Sequence, residues 1–218
     1  MGNERGIAVI GSGYVGTVMA ACLADLGHEV VGVEIDPEKL ALLNDGVVPF
    51  FETGLAERLA SGIESGRLVF TDDYQMAMDR SEIVFLCVDT PPGTNGHPDM
   101  SSVAGAARSI GAALHEPHIV VTKSTVPVGS GNWLEATIEA ELPLGVDRDV
   151  LCVVSNPEFL REGSAVNDFL PPERIVVGGD CQDAIEKVVA VYARVLSQDF
   201  AGGDPTSQPA LVKTGRAT

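Results

Sequence analysis

The sequence predicts an α/β fold, a doubly wound parallel sheet in a single domain. Three observations predict it. Short β-branched runs alternate with helical patterns along most of the chain. One such run, at 82–88, is almost continuously apolar, as expected of a strand buried on both faces of a parallel sheet. A glycine cluster, Gly11-Ser12-Gly13-Tyr14-Val15-Gly16, joins the first β-branched run to the first helical pattern. Strands and helices in strict alternation bury their apolar faces as helices on both sides of one sheet.

The first unit carries the most information. Residues 7–10 read as a strand, and Val15, Val18, Met19, Cys22, Leu23 and Leu26 mark one face of a helix. Gly27 stops that helix, and 29–34 returns as a second strand. The glycines of this βαβ unit fit G-x-G-x-x-G. Gly11 permits the tight turn, Gly13 lets the backbone approach a pyrophosphate, and Gly16 lets helix and strand pack closely. Free N–H groups and the dipole at the helix start favour phosphate. Glu34 ends the second strand 23 residues after Gly11. A carboxylate there accepts from a ribose 2′-OH and repels a 2′-phosphate. The unit therefore predicts a Rossmann-type domain that takes NAD, not NADP. The alternative is a glycine-rich turn without a ligand.

The remaining elements follow in order. A helix opens at Asp36-Pro37-Glu38 and ends near Asn44-Asp45-Gly46, with proline early and acids in its first turn. A loop at 47–54 holds Pro49, Phe50, Phe51 and Glu52. Residues 55–65 read as helix, 67–70 as strand, 73–79 as a short helix and 82–88 as strand. Asp89-Thr90-Pro91-Pro92 forces a loop, and 93–99 is polar and turn-rich. A helix at 101–114, a strand at 119–123, a helix at 133–142 and a strand at 150–154 come next. A strand at 174–178 and a helix at 183–196 complete a domain over 1–197. The tail, 198–218, is rich in Gly, Pro, Ser and Thr, with one candidate strand at 210–213. It reads as the start of a linker.

Composition narrows the class. The chain is 45% hydrophobic, enough for a full core, and its net charge of −17 argues against nucleic acid and anionic membranes. No apolar run reaches the ~18 residues of a membrane-spanning helix, and residues 1–5 carry no secretory pattern. Cys22, Cys87, Cys152 and Cys181 are scattered, without a C-x-x-C, which suits reduced structural cysteines in the cytoplasm.

Ligands of such sheets bind beyond the carboxyl ends of the strands. Two acids, Glu158 and Glu162, lie four apart behind one strand end. If 159–163 makes a helical turn, the carboxylates share a face and one can serve as acid or base. A solvated pair on a loop is the plain alternative. Thr125 binds a phosphate, holds a water or, most commonly for such a residue, caps the next helix. His115-Glu116-Pro117-His118 reads as a loop before a strand, because Pro117 spoils the spacing of a metal site. Cys181 after Gly178-Gly179-Asp180 reads as a strand-to-helix turn, not a nucleophile. Trp133 reads as packing. No metal is expected.

Further motifs occur in a fixed order: Leu43-Asn44-Asp45-Gly46, Glu52-Thr53-Gly54-Leu55, Ser124-Thr125-Val126-Pro127-Val128-Gly129 and Ser155-Asn156-Pro157-Glu158-Phe159-Leu160-Arg161-Glu162-Gly163. Asp168-Phe169 and Arg174-Ile175-Val176-Val177-Gly178 follow. With the glycine motif, they resemble the N-terminal domain of the UDP-glucose/GDP-mannose dehydrogenase family, nearest the UDP-glucose 6-dehydrogenases. The resemblance covers nearly all of 7–196, and the Asn-Pro-Glu-Phe-Leu-Arg-Glu-Gly run is its most specific part.

The resemblance implies NAD-dependent, four-electron oxidation of a sugar C6 alcohol to a carboxylate. UDP-glucose is the expected substrate, and UDP-N-acetylmannosamine and GDP-mannose are the alternatives. Two hydrides would leave, with a cysteine-bound thioester between the steps. By position, the glycine motif with Tyr14 and Val15 would hold the cofactor, Glu34 and Lys39 its adenosine ribose, and Thr90 would lie near it. Thr125 would position a catalytic water or the alcohol. Glu158 would assist thioester hydrolysis, and Glu162 would orient cofactor or water. Glu158, Phe159 and Leu160 would line the sugar site. The family's nucleophilic Gly-Gly-x-Cys segment, its central helix and its second nucleotide-binding domain have no match in 1–218. The expectation is a cofactor-binding half that is inactive alone, within a full-length homodimer. A truncated binding or regulatory module is the alternative. Asp89 departs from the family, which more often has a small or neutral residue there.

Overall fold

The computed structural model describes residues 6–93 and 96–215. The expected lead-in at 1–5, the centre of the 93–99 loop and the last tail residues lie outside the described residues. Eight strands form one sheet in the order β3-β2-β1-β4-β5-β6-β7-β8. They are β1 Gly6–Ile10, β2 Val30–Val33, β3 Leu68–Thr71, β4 Ser81–Leu86, β5 His118–Thr122, β6 Leu151–Ser155, β7 Arg174–Gly179 and β8 Ala210–Thr214. Strands β3 to β6 in that order run parallel. β7 is antiparallel to β6, and β8 is parallel to β7.

The doubly wound α/β fold is thus present, with a reversed pair at one edge. The link between β6 and β7 explains the reversal. It carries only the short α7, Ala165–Phe169, and no helix long enough for a crossover. The candidate strand in the tail is β8, held to β7 over five residue pairs and by Lys213 Nζ at 2.7 Å from both Glu186 carboxylate oxygens.

Helices cover both faces. Alternate residues of β1 enter opposite cores, Ile7 and Val9 on one side and Ala8 and Ile10 on the other. β4 divides the same way between Phe85 and the pair Val84 and Leu86. Helix α1, Tyr14–Asp25, is buried from Gly16 to Ala24, more completely than its one predicted face implied. Helices α3, Leu55–Glu64, and α7 pack onto it, so its outer side is covered as well. α2, Pro37–Asn44, starts where expected, with the Asp36 carboxylate accepting from Glu38 N and Lys39 N. α4, Tyr74–Asp79, and α5, Ser101–Ala113, support the second core.

Two helices differ from expectation. α6 spans Ser130–Glu139, starting three residues early, because Gly129 at φ +86° turns the chain into it. Trp133 then falls on its outer side and is 41% exposed, so it is not core packing. The predicted helix at 183–196 is two, α8 Gln182–Val191 and α9 Ala193–Ser197, broken at Tyr192. Tyr192 is buried, and its hydroxyl donates to Asn156 Oδ1 at 2.7 Å. Seating that ring costs the helix its continuity.

Candidate active site

The chain order makes β1 the pivot of the sheet. From β1 it winds one way to β2 and β3, and from β4 onward it continues on the other side. Ligands bind at such a reversal, beyond the carboxyl ends of the strands. A cleft of about 490 Å³ lies there, lined by Gly11, Gly13, Val33, Glu34, Lys39 and Asp89 among others.

The glycine loop at its floor has a steric reason at two of its three glycines. A Cβ on Gly16 would stand 1.9 Å from the Gly11 carbonyl oxygen. Gly11 has φ +91°, and a Cβ there would stand 2.8 Å from Val88 Cγ1. Gly13 is different. Its Cβ would meet only Asp89 Oδ1, at 3.4 Å. No described neighbour demands a glycine at 13, so the bare backbone leaves room for a ligand to come close. Gly13 is also the N-cap of α1, whose first N–H groups have no side-chain cap. They are free for a pyrophosphate. Thr17 Oγ1 donates to Ser12 O at 2.8 Å and Ser12 Oγ to Val33 O at 3.2 Å, so the loop is tied down from both sides.

Glu34 is 7% exposed at the end of β2. Its Oε2 lies 2.7 Å from Lys39 Nζ, and its Oε1 accepts from Asp36 N at 3.0 Å. The carboxylate is therefore aimed by its neighbours, as a ribose acceptor must be. These residues fit NAD.

Tyr14 and Val15 are half-buried at the start of α1. The Tyr14 hydroxyl hydrogen-bonds Glu52 Oε2, and Gly163 N donates to both, at 2.9 Å to Tyr14 and 2.8 Å to Glu52. Burial, and then the Glu52 bond, push the Tyr14 phenol up to about 12. Glu52 is 6% exposed, and its Oε1 has no hydrogen-bond partner among the described residues. Sequence reading passed over Glu52 as a loop residue. An acid between aromatic Phe50, Phe51 and a turn was the available signal.

A second cavity, of about 260 Å³, opens beside the first at the ends of β5 and β6. Lys123, Thr125, Pro157 and Glu158 line it. Thr125 does not cap α6, whose N-cap is Gly129. Instead its carbonyl accepts from Thr90 Oγ1 at 2.9 Å, which joins the β4 and β5 loops. Thr90 itself lines neither cavity.

Glu158 and Glu162 do not share a helical face. Residues 156–161 form a loop without regular structure, and Gly163 at φ +86° turns the chain before α7 begins. Glu158 faces the second cavity, with Oε2 accepting from Leu160 N at 2.6 Å. Glu162 is exposed and lines neither cavity. Phe159 is half exposed beneath the Arg174 guanidinium, 4.6 Å from its ring centroid, and Leu160 packs against the core.

Lys123 was not anticipated as a site residue, although a lysine closing an apolar strand is a visible signal. It is 6% exposed, and its Nζ donates to Asn156 Oδ1 at 3.3 Å and Pro157 O at 3.4 Å. Burial pushes its ammonium down to about 8, partly offset by Cys87 and Glu158. None of the four cysteines forms a disulfide. Burial pushes the Cys22 and Cys87 thiols up to about 12, so neither is a thiolate nucleophile at neutral pH. No group of three metal-ligating side chains occurs among the described residues. No described helix is long and apolar enough to cross a membrane.

Comparison with known proteins agrees with this geometry. Residues 5–196 match the NAD binding domain of the UDP-glucose/GDP-mannose dehydrogenase family. The chain is 50% identical over 189 residues to a UDP-glucose 6-dehydrogenase of Rhizobium meliloti, covering 85% of this chain and 42% of the relative. It is 42% identical over 213 residues to one from Haloferax volcanii, covering 96% of this chain and 47% of the relative. The chain thus spans a little under half the length of these relatives. Among solved structures, a UDP-glucose dehydrogenase from Pyrobaculum islandicum superposes with a TM-score of 0.86 at 35% identity, over 99% of this chain and 47% of that one. A GDP-mannose dehydrogenase from Pseudomonas aeruginosa gives 0.85 at 34%, over 97% of this chain and 46% of that one. The chain belongs to the UDP-glucose/GDP-mannose dehydrogenase family and carries its NAD-binding domain.

Proposed function

We propose that this chain is the cofactor-binding half of an NAD-dependent UDP-glucose 6-dehydrogenase. The whole protein oxidises the C6 alcohol of UDP-glucose to the carboxylate of UDP-glucuronate. The observation that carries the reading is the adjacency of two sites on one sheet edge. The glycine-floored cleft holds NAD, and the Thr125–Glu158 cavity lies beside it. When bound, NAD supplies the hydride acceptor.

In this reading Thr125 orients the reacting alcohol or a water, and Glu158 takes a proton from the water that releases the product. The Glu158 carboxylate is oriented for that task by Leu160 N. Phe159 and Leu160 border the sugar site, and Thr90 holds the Thr125 loop against the cofactor side. Glu162, being exposed, serves only if cofactor or substrate reaches out to it. Identity favours UDP-glucose, since relatives at 50%, 43% and 42% identity are UDP-glucose 6-dehydrogenases. The structural likeness to a GDP-mannose enzyme is as close, so UDP-N-acetylmannosamine and GDP-mannose remain the competing substrates. A cytoplasmic, homodimeric full-length protein without nucleic-acid partners completes the reading.

The test is NADH release by the full-length protein. Two NADH per UDP-glucose are expected, with GDP-mannose and UDP-N-acetylmannosamine poor substrates and residues 1–218 alone inactive. Glu158→Gln is expected to lower kcat by about 10²- to 10⁴-fold, the usual worth of general acid–base catalysis. One NADH per sugar, or turnover by residues 1–218 alone, would contradict the reading.

A further inference from the structure

Asp89 follows β4, and its Oδ1 stands 3.4 Å from where a Gly13 side chain would begin. Its carboxylate makes no hydrogen bond or ion pair among the described residues. The nearest cation of the cleft lining, Lys39, is already paired with Glu34. The backbone around Asp89 is pinned. Ser124 Oγ donates to Val88 O at 2.7 Å, and Thr90 Oγ1 donates to Thr125 O at 2.9 Å. The backbone that carries the carboxylate is held in place, and no described neighbour uses the carboxylate.

Sheet order says what it faces. β1 lies between β2 and β4, and the phosphate-seating loop rises from β1. A pyrophosphate on that loop leaves one ribose on the β2 side and one on the β4 side. Glu34 closes β2, and Asp89 follows β4. An acceptor-only group beside a pyrophosphate site repels the ligand unless the ligand brings donors to it. The hydroxyls of the second ribose are such donors.

We propose that Asp89 is the second ribose-reading carboxylate of the cleft. It accepts hydrogen bonds from the nicotinamide-side ribose, as Glu34 does from the adenosine ribose. This rests on the NAD-binding reading of the cleft. Asp89 is solvent-exposed, so substitutions there leave the core intact.

The experiment is calorimetric titration of this chain and its Asp89→Ala and Asp89→Asn variants with NAD, ADP-ribose and ADP. ADP-ribose carries the second ribose without nicotinamide, and ADP carries neither. Asp89→Ala is expected to weaken NAD and ADP-ribose by about tenfold or more, the worth of hydrogen bonds to a charged group. ADP is expected to change by less than about twofold. Asp89→Asn, which keeps one acceptor oxygen, is expected to fall between. Tighter binding of all three ligands by Asp89→Ala would show simple repulsion and overturn the proposal. Weakening confined to NAD would assign Asp89 to the carboxamide instead and overturn it too. Unchanged affinities would overturn it while leaving the NAD reading intact. Failure of the unaltered chain to bind any of the three would overturn both.

Discussion

At the scale of the residue, the fold spends its strictest requirements on the cofactor loop. Gly16 admits no Cβ, because the Gly11 carbonyl oxygen occupies that space. Gly16→Ala is expected to cost at least the upper part of the about 1–3 kcal/mol typical of overpacking, read as a lower urea midpoint. Gly13→Ala meets no such obstacle, so it is expected to leave stability within about 0.5–1 kcal/mol while weakening NAD binding. Equal stability losses at 13 and 16 would contradict the division between packing and ligand approach. Lys123 supplies a pH signature. Its folded pKa of about 8 lies below the unfolded value of about 10.4. Below both values the chain is protonated folded or unfolded, and the full cost of burying the charge is felt. Between pH 8 and 10.4 the folded state sheds the proton first, so this cost falls away and stability rises. Lys123→Met is expected to remove that rise and to be the more stable form at pH 7, by about 2–3 kcal/mol. Matching pH slopes in denaturation of the two proteins would refute the buried-charge assignment. The glycine loop and the placement of Glu34 at the end of β2 were legible in the sequence because they depend on neighbours in the chain. Lys123 and Glu52 were not, because their burial is decided by segments far away, such as Asn156 and Gly163.

At the scale of the element, periodicity located most strands and helices, and it failed where a tertiary contact overrode it. Nothing in 183–196 signals a break, yet the helix stops at Tyr192 so that its hydroxyl reaches Asn156. That bond ties the helical layer to the loop that carries Glu158, since Asn156 Nδ2 also donates to Val176 O at 2.7 Å. Tyr192→Phe is expected to cost about 1 kcal/mol, a typical net hydrogen bond. It is also expected to lower protection from hydrogen exchange at 156–160 specifically. Uniform loss of protection across the sheet would mean that Tyr192 acts only through packing. The loop between β6 and β7 shows the other limit of spacing arguments. An i, i+4 pair of acids suggests a shared face, but Gly163 in the left-handed region keeps Glu158 and Glu162 apart. A glycine immediately after the second acid was the clue that no helical turn closes there.

At the scale of the whole molecule, the alternation of strands and helices was enough to foresee a doubly wound sheet. The alternation alone did not reveal the reversed β7–β8 edge, which follows from a β6–β7 link that carries only the short α7 in place of a crossover helix. That edge lies away from the cleft, which forms where β1, β2 and β4 end. The cleft binds NAD, and Glu34 is expected to select it over NADP. This selection is tested most directly by calorimetric titration of this chain with NAD and NADP, alongside Glu34→Ala. Saturable NAD binding is expected, at least about tenfold weaker for NADP and for the variant, as loss of a charged hydrogen-bond acceptor implies. Equal affinity for NAD and NADP, unaffected by Glu34→Ala, would contradict it.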